Sequence, residues 1–300
     1  MVKTKQKRKY VPLLAMAVII VTGVVLAVTL SGEKAPGEPQ TPINPHEGEV
    51  QLNDGAQEVW LPREDTMFSL LYEQDFFTNA KGWPVYIGND FTALRGIDVS
   101  ELQGSIDWQQ VKQAGIDFAF LRIGFRGYGQ AGRLVEDESF AGNLEQAKKN
   151  GVKVGAYFFS QAASVEEAAE EAAFCLSVLE GCTLDLPVMF DWERVSQDDS
   201  RTAAIPVDAL HGYGEAFCRA IEEGGYEAGL YFNRQLGYYG YHLDELKDYD
   251  WWVSDPGTYP AFYYGAAFWQ YSVDATVPGI DIIVDMDMWF IPKETEDMRR

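Results

Sequence analysis

Residues 186–193 read LPVMFDWE. An apolar run ends on two acids, Asp191 and Glu193, two positions apart. Extended chain alternates its side chains, so both carboxyls lie on one face, roughly 6–7 Å apart along the strand. Working outward, runs of the same kind recur: LRGIDVS (94–100), FAFLRIG (118–124), VKVGAYFFS (152–160), YEAGLYFN (226–233), DWWVSD (250–255), AAFWQYS (266–272) and IIVDMDMWF (282–290). Helical patterns separate the first five. Asp107 with Gln110 and Ser164 with Glu167 read as N-terminal capping boxes, and Gly115 and Asn150-Gly151 as stops. Phe140, Leu144 and Ala147 make one apolar stripe; Val165, Ala168, Ala172, Leu176 and Leu179 make the next. Pro206 opens a fourth helix with Leu210, Phe217 and Ile221 on one face. Eight strands with regular helices early and loops late predict an α/β fold, an irregular closed (β/α) barrel over residues 93–292. An open doubly wound sheet is the alternative.

A parallel barrel carries its chemistry at the C-terminal ends of its strands. Asp98 ends the first strand, and Asp191 and Glu193 end the fourth. Asp285 and Asp287 lie in the last, which closure places beside the first. Carboxyls brought together repel, so at least one pKa rises and that acid becomes a proton donor near neutrality, while an ionised neighbour stabilises positive charge. Glycoside hydrolysis needs that division of labour. An acidic cluster also suits a hard cation, which leaves a metal-dependent hydrolase as an alternative. Tyr157, Phe159, Tyr231, Trp252, Trp269 and Gln270, in or near the same strands, are the candidate sugar contacts.

The remainder of the chain sets its context. It holds 300 residues, 47% hydrophobic and 23% charged, with a net charge of −22. That excludes a disordered polymer, and the acidity makes nucleic acid a poor partner. Residues 1–10 form a basic tail with Lys3, Lys5, Lys7, Arg8 and Lys9. Residues 11–30, VPLLAMAVIIVTGVVLAVTL, carry no charge; as a helix they span roughly 30 Å, the thickness of a bilayer's hydrocarbon. A single transmembrane signal anchor is expected, with the basic tail cytoplasmic and the remainder outside; a cleaved signal peptide is the alternative. Residues 31–58, with Pro36, Pro39, Pro42 and Pro45, read as an acidic linker. Residues 59–92 read as an N-terminal extension, a short helix and a hairpin packed on the barrel, and 293–300 as a polar tail. The sequence GYGQAG (127–132) fits GxGxxG, but no clean helix start follows, so a rim loop is expected rather than a nucleotide site. His211 and His242 read as isolated surface or packing residues. Three cysteines allow one disulfide or none.

Asp98-Val99-Ser100-Glu101-Leu102-Gln103-Gly104, followed by Ile106-Asp107-Trp108, resembles the opening motif of glycoside hydrolase family 25, the lysozyme-like β-1,4-N-acetylmuramidases. The resemblance continues through Arg122-Ile123-Gly124, Gly155-Ala156-Tyr157-Phe158-Phe159-Ser160, Phe190-Asp191-Trp192-Glu193, Leu230-Tyr231, Trp252-Val253, Trp269-Gln270-Tyr271 and Val284-Asp285. It implies cleavage of the bond between N-acetylmuramic acid and N-acetylglucosamine in peptidoglycan, with no cofactor and no required metal. Glu193 matches the family's general acid, Asp191 its partner carboxylate, and Asp98 and Asp285 the remaining acids. Leu102 and Asp287 depart from the common pattern; Asp287 adds a charge beside Asp285. The resulting expectation is a monomeric, membrane-held peptidoglycan hydrolase facing the cell wall. A non-catalytic wall-binding module is a further alternative.

Overall fold

The computed structural model describes residues 45–67, 72–80, 82–195 and 200–293. The basic tail, the apolar span 11–30, the linker through residue 44 and residues 294–300 lie outside these. Among the described residues no helix is long and apolar enough to cross a membrane.

All eight expected strands form: β1 (Phe91–Val99), β2 (Phe118–Arg126), β3 (Lys153–Ser160), β4 (Val188–Trp192), β5 (Ala228–Asn233), β6 (Asp250–Ser254), β7 (Phe268–Ala275) and β8 (Val284–Pro292). They neighbour one another in chain order, and β8 returns to β1, so the sheet is a closed barrel rather than an open one. Strands β1 to β7 run parallel. β8 runs antiparallel to both neighbours. The connection from β7 to β8 is too short for the helical crossover that a parallel pair requires. Because β8 is reversed, its first residues, not its last, lie at the C-terminal mouth of the other strands. Asp285 therefore sits directly opposite Asp98.

Helices α1 (Trp108–Gln113), α2 (Phe140–Lys149), α3 (Val165–Val178) and α4 (Leu210–Glu223) cover the strands from outside, and α5 (Arg234–Gly240) follows β5. Asp107 caps α1 by accepting from the N–H groups of Gln109 and Gln110, and Gly115, at φ 91°, ends that turn of chain. Ser164 caps α3 by accepting from the Glu167 N–H, while Glu167 itself accepts from Ala163. Val165 is exposed, and the buried stripe of α3 is Ala168, Ala172 and Cys175. All three cysteines are free thiols. Pro206 precedes a single 3-10 turn, Val207–Ala209, which leads into α4.

Among the described residues no helix covers β7 and β8. The N-terminal extension fills that place with aromatic rings. Tyr72 stacks on Phe290 at 3.9 Å, its hydroxyl donates to the Ala266 carbonyl, and Phe77 meets Trp269 edge-on at 5.6 Å. The extension contains a 3-10 turn, Gln74–Phe76, and the hairpin Phe77–Ala80 with Trp83–Tyr86. A second hairpin joins Glu49–Asn53 to Glu58–Pro62. It lies partly within the segment read as linker, so ordered structure begins before residue 59.

Inside the barrel the period of two sorts the side chains. Phe118, Phe268 and Trp289 pack at one end; Phe120 and Trp252 stack above them at 4.6 Å. Two glycines make room. A Cβ on Gly96 would lie 2.3 Å from the Phe118 ring, and one on Gly155 2.5 Å from Phe120. The aromatic plug closes the barrel beneath its mouth, leaving that end to polar groups. On the outer surface, His211 and His242 are not isolated: their rings stack at 4.6 Å.

Candidate active site

Five acids stand above the plug. Asp98 of β1 stands in register with Asp285 of β8. Asp191 of β4 lies between Phe159 of β3 and Tyr231 of β5. Glu193 follows two positions on, at the same face. Asp98, Asp191 and Asp287 are buried, whereas Glu193 and Asp285 are half-exposed. The inner acids are thus shielded, and the outer two meet solvent.

Gln270 of β7 ties the acids together. Its Nε2 donates to Asp98 Oδ2 at 2.9 Å and reaches Asp285 Oδ2 at 3.4 Å. Its Oε1 accepts from the Tyr231 hydroxyl at 3.0 Å, which fixes the amide's orientation. Trp252 donates its indole N–H to Asp287 Oδ1 at 2.8 Å. Asp191 Oδ1 and Asp287 Oδ2 are buried with no hydrogen-bond partner among the described residues. A bare buried carboxylate oxygen is costly, and a proton lowers that cost.

The electrostatics follow. Burial pushes the Asp98 carboxyl well above its usual range, and Asp287 and Asp285 push it further. Asp191 is raised by burial and then by Glu193, with Arg122 pulling the other way. Asp287 is raised by burial, against the Trp252 hydrogen bond. Glu193 is raised by burial, with the Tyr231 hydroxyl opposing. Asp285 rises to about 6, through burial and then Glu193. All five carboxyls are thus held above the ordinary carboxylate range, and Glu193 and Asp285 are the two that meet solvent. Arg122 is held in place by Asp137 at 2.8 Å and Glu101 at 3.2 Å.

The predicted sugar contacts divide. Gln270, Tyr157, Tyr231 and Phe159 face the mouth, Phe159 half-exposed and the others buried. Trp252 faces inward but lies in the plug, 1% exposed, where it positions Asp287. Trp269 is a correction: with Gln270 inward, its neighbour must point outward. Its ring packs under the N-terminal extension and donates to the Asp255 carbonyl. Two residues escaped sequence reasoning. Tyr128, exposed on the 127–132 loop, meets Phe159 edge-on at 6.0 Å, so that loop is an aromatic rim. Gln161, fully buried, donates Nε2 to the Glu193 carbonyl at 2.7 Å and accepts from the Thr202 hydroxyl at 3.0 Å. It clamps the main chain that carries Glu193. Two surface hollows, about 350 Å³ beside Phe77 and Tyr259 and about 340 Å³ beside Leu144 and Cys182, hold none of the five acids.

The sequence profile of Glycosyl hydrolases family 25 matches residues 97–280, from β1 to just before β8. Lysozyme M1 of Streptomyces globisporus is 26% identical over 220 residues, covering 65% of this chain and 67% of that protein. The autolytic lysozyme of Clostridium acetobutylicum is 24% identical over 202 residues, 65% of this chain and 55% of that one. Among solved structures, the modular autolysin LytC of Streptococcus pneumoniae, in complex with a synthetic peptidoglycan ligand, superposes with a TM-score of 0.59 at 22% identity, covering 71% of this chain and 52% of LytC. The bacterial lysozyme of Streptomyces coelicolor gives 0.53 at 23% identity, covering 69% and 95%. The match thus spans about half of LytC, and both structures share the fold. The profile match covers more than half of the chain, and on that ground the protein belongs to glycosyl hydrolase family 25 and is a glycosidase.

Proposed function

We propose that this enzyme cleaves the β-1,4 bond between N-acetylmuramic acid and N-acetylglucosamine in peptidoglycan. The observation that carries this reading is the pairing of two half-exposed acids of raised pKa, Glu193 and Asp285, with three buried ones at the mouth of one barrel. Glu193 gives its proton to the bridging oxygen as the glycosidic bond breaks. Asp191, two residues earlier on the same face, stabilises, once ionised, the positive charge that develops at the anomeric carbon. Asp98 and Asp285, joined by Gln270, orient the attacking group on the substrate side. Phe159 and Tyr128 offer flat rings to the apolar faces of the sugars.

The uncharged span 11–30 and its basic flank support a single-pass anchor, with the barrel outside the cell membrane facing the wall and the segment after residue 30 as its tether. We propose that the enzyme acts there as a monomer. Mass spectrometry of products from purified wall tests the chemistry: disaccharide-peptides with N-acetylmuramic acid at the reducing end support it. Wall that is bound but not cut would select a binding module instead. Cleavage lost with a chelator and restored by a divalent cation would select metal-dependent hydrolysis. Retention of the protein in alkali-washed membranes tests the anchor, and release into the wash refutes it.

A further inference from the structure

The chain has three histidines, and two of them meet. His211 is the second residue of α4. His242 lies 31 residues on, in the turn that follows α5. That turn, closed by the Glu245 N–H donating to the His242 carbonyl, brings Glu245 to the same spot. Glu245 forks between the two rings: Oε2 is 3.3 Å from His211 Nε2, and Oε1 is 3.9 Å from His242 Nδ1. One ligand atom from each of the three residues lies within 4.8 Å of the others.

We propose that His211, His242 and Glu245 bind a borderline divalent transition cation, with Zn²⁺ as its type. A tetrahedral ion with bonds of roughly 2.0–2.1 Å has edges of about 3.3 Å. His211 Nε2 already stands at that distance from Glu245 Oε2; His242 Nδ1 is nearest the other oxygen, Oε1, and with the three ligand atoms within 4.8 Å of one another its ring must move in by up to about 1.5 Å. Two imidazoles and one carboxylate suit zinc, copper or nickel; calcium and magnesium prefer oxygen alone. Water completes the shell at this surface. As the side chains stand, the His242 backbone N–H reaches His211 Nδ1 at a long 3.4 Å. Ligation through Nε2 moves the ring proton to Nδ1 and gives up that contact. The His242 ring, 65% exposed, is free to turn out of the stack towards the ion. Bound metal then cross-links the first turn of α4 to the 241–246 turn. The site lies outside the acid cluster and supplies nothing to bond cleavage; it is a structural staple.

The test is titration of the purified protein with ZnCl₂, read by calorimetry and by the imidazole proton resonances of the three histidines. The expected result is one saturable site. Two histidine resonances shift while that of His46 stays, and the melting temperature rises with free Zn²⁺. MgCl₂ and CaCl₂ do neither. His242→Ala, on an exposed turn, weakens binding by roughly tenfold or more, and Glu245→Gln weakens it too, both with wall hydrolysis intact. No saturable binding, binding unchanged in His242→Ala, or a shift confined to His46 overturns the proposal.

Discussion

Asp285→Asn is expected to make the protein more stable and less active at once. The folded state raises the Asp285 carboxyl from 3.8 to about 6. Two units correspond to about 3 kcal/mol at most. The side chain is half-exposed, so solvent screening reduces this to about 1–2 kcal/mol. The sign follows from proton binding. The folded carboxyl holds its proton more tightly than the unfolded one, so it costs nothing below pH 4. The cost grows as pH rises from 4 to 6 and is complete above that. Asparagine carries no such cost, and its amide oxygen still accepts from Gln270. Thermal melts of wild type and variant should therefore differ by about 2–8 °C at pH 7, in favour of the variant, and converge at pH 4. Wall hydrolysis by the variant falls. Equal melting temperatures at pH 7, or the same gap at pH 4, would refute the electrostatic account of the acid cluster.

Gln161→Leu removes the Nε2 donor to the Glu193 carbonyl and the Oε1 acceptor of the Thr202 hydroxyl; kcat should fall roughly 10–100-fold with KM little changed, as steady-state kinetics would report. A loss confined to KM would contradict a clamp on the proton donor. Gly155→Ala drives a methyl group into the Phe120 ring and should cost about 1–3 kcal/mol in denaturant unfolding; a neutral result would mean that the aromatic plug is loosely packed. Phe159→Ala should raise KM for glycan strands, whereas Trp269→Phe should lower stability and leave KM alone. The reverse pattern would put the sugar on the other side of β7.

The strands were legible because alternation and apolar runs carry their own period, and eight of them in sequence imply closure. The acids at the strand ends were legible for the same reason. The direction of β8 was not, since nothing in VDMDMW marks its polarity; the short connection before it is the clue. Trp269 and Gln270 are adjacent in a strand, so alternation alone forbids both from facing the mouth. The first hairpin carried a signal too: Asn53-Asp54-Gly55 between VQL and VWL is turn chemistry, masked by the prolines before it. Gln161 and the His211–His242 pair had no such signal. Their partners come from other elements, and only the closed fold brings them into reach.

In the proposed mechanism Glu193 hands a proton to the leaving oxygen. Glu193→Gln, compared with wild type on peptidoglycan and on an aryl glycoside of the same sugar whose leaving group needs no proton, tests it most directly. The variant should lose roughly 10²–10⁴-fold on peptidoglycan and retain most of its rate on the aryl glycoside. The wild-type rate on peptidoglycan should fall as pH rises through the elevated pKa of Glu193, and that limb should vanish on the activated substrate. Equal losses on both substrates would show that Glu193 does something other than protonate the bond it breaks.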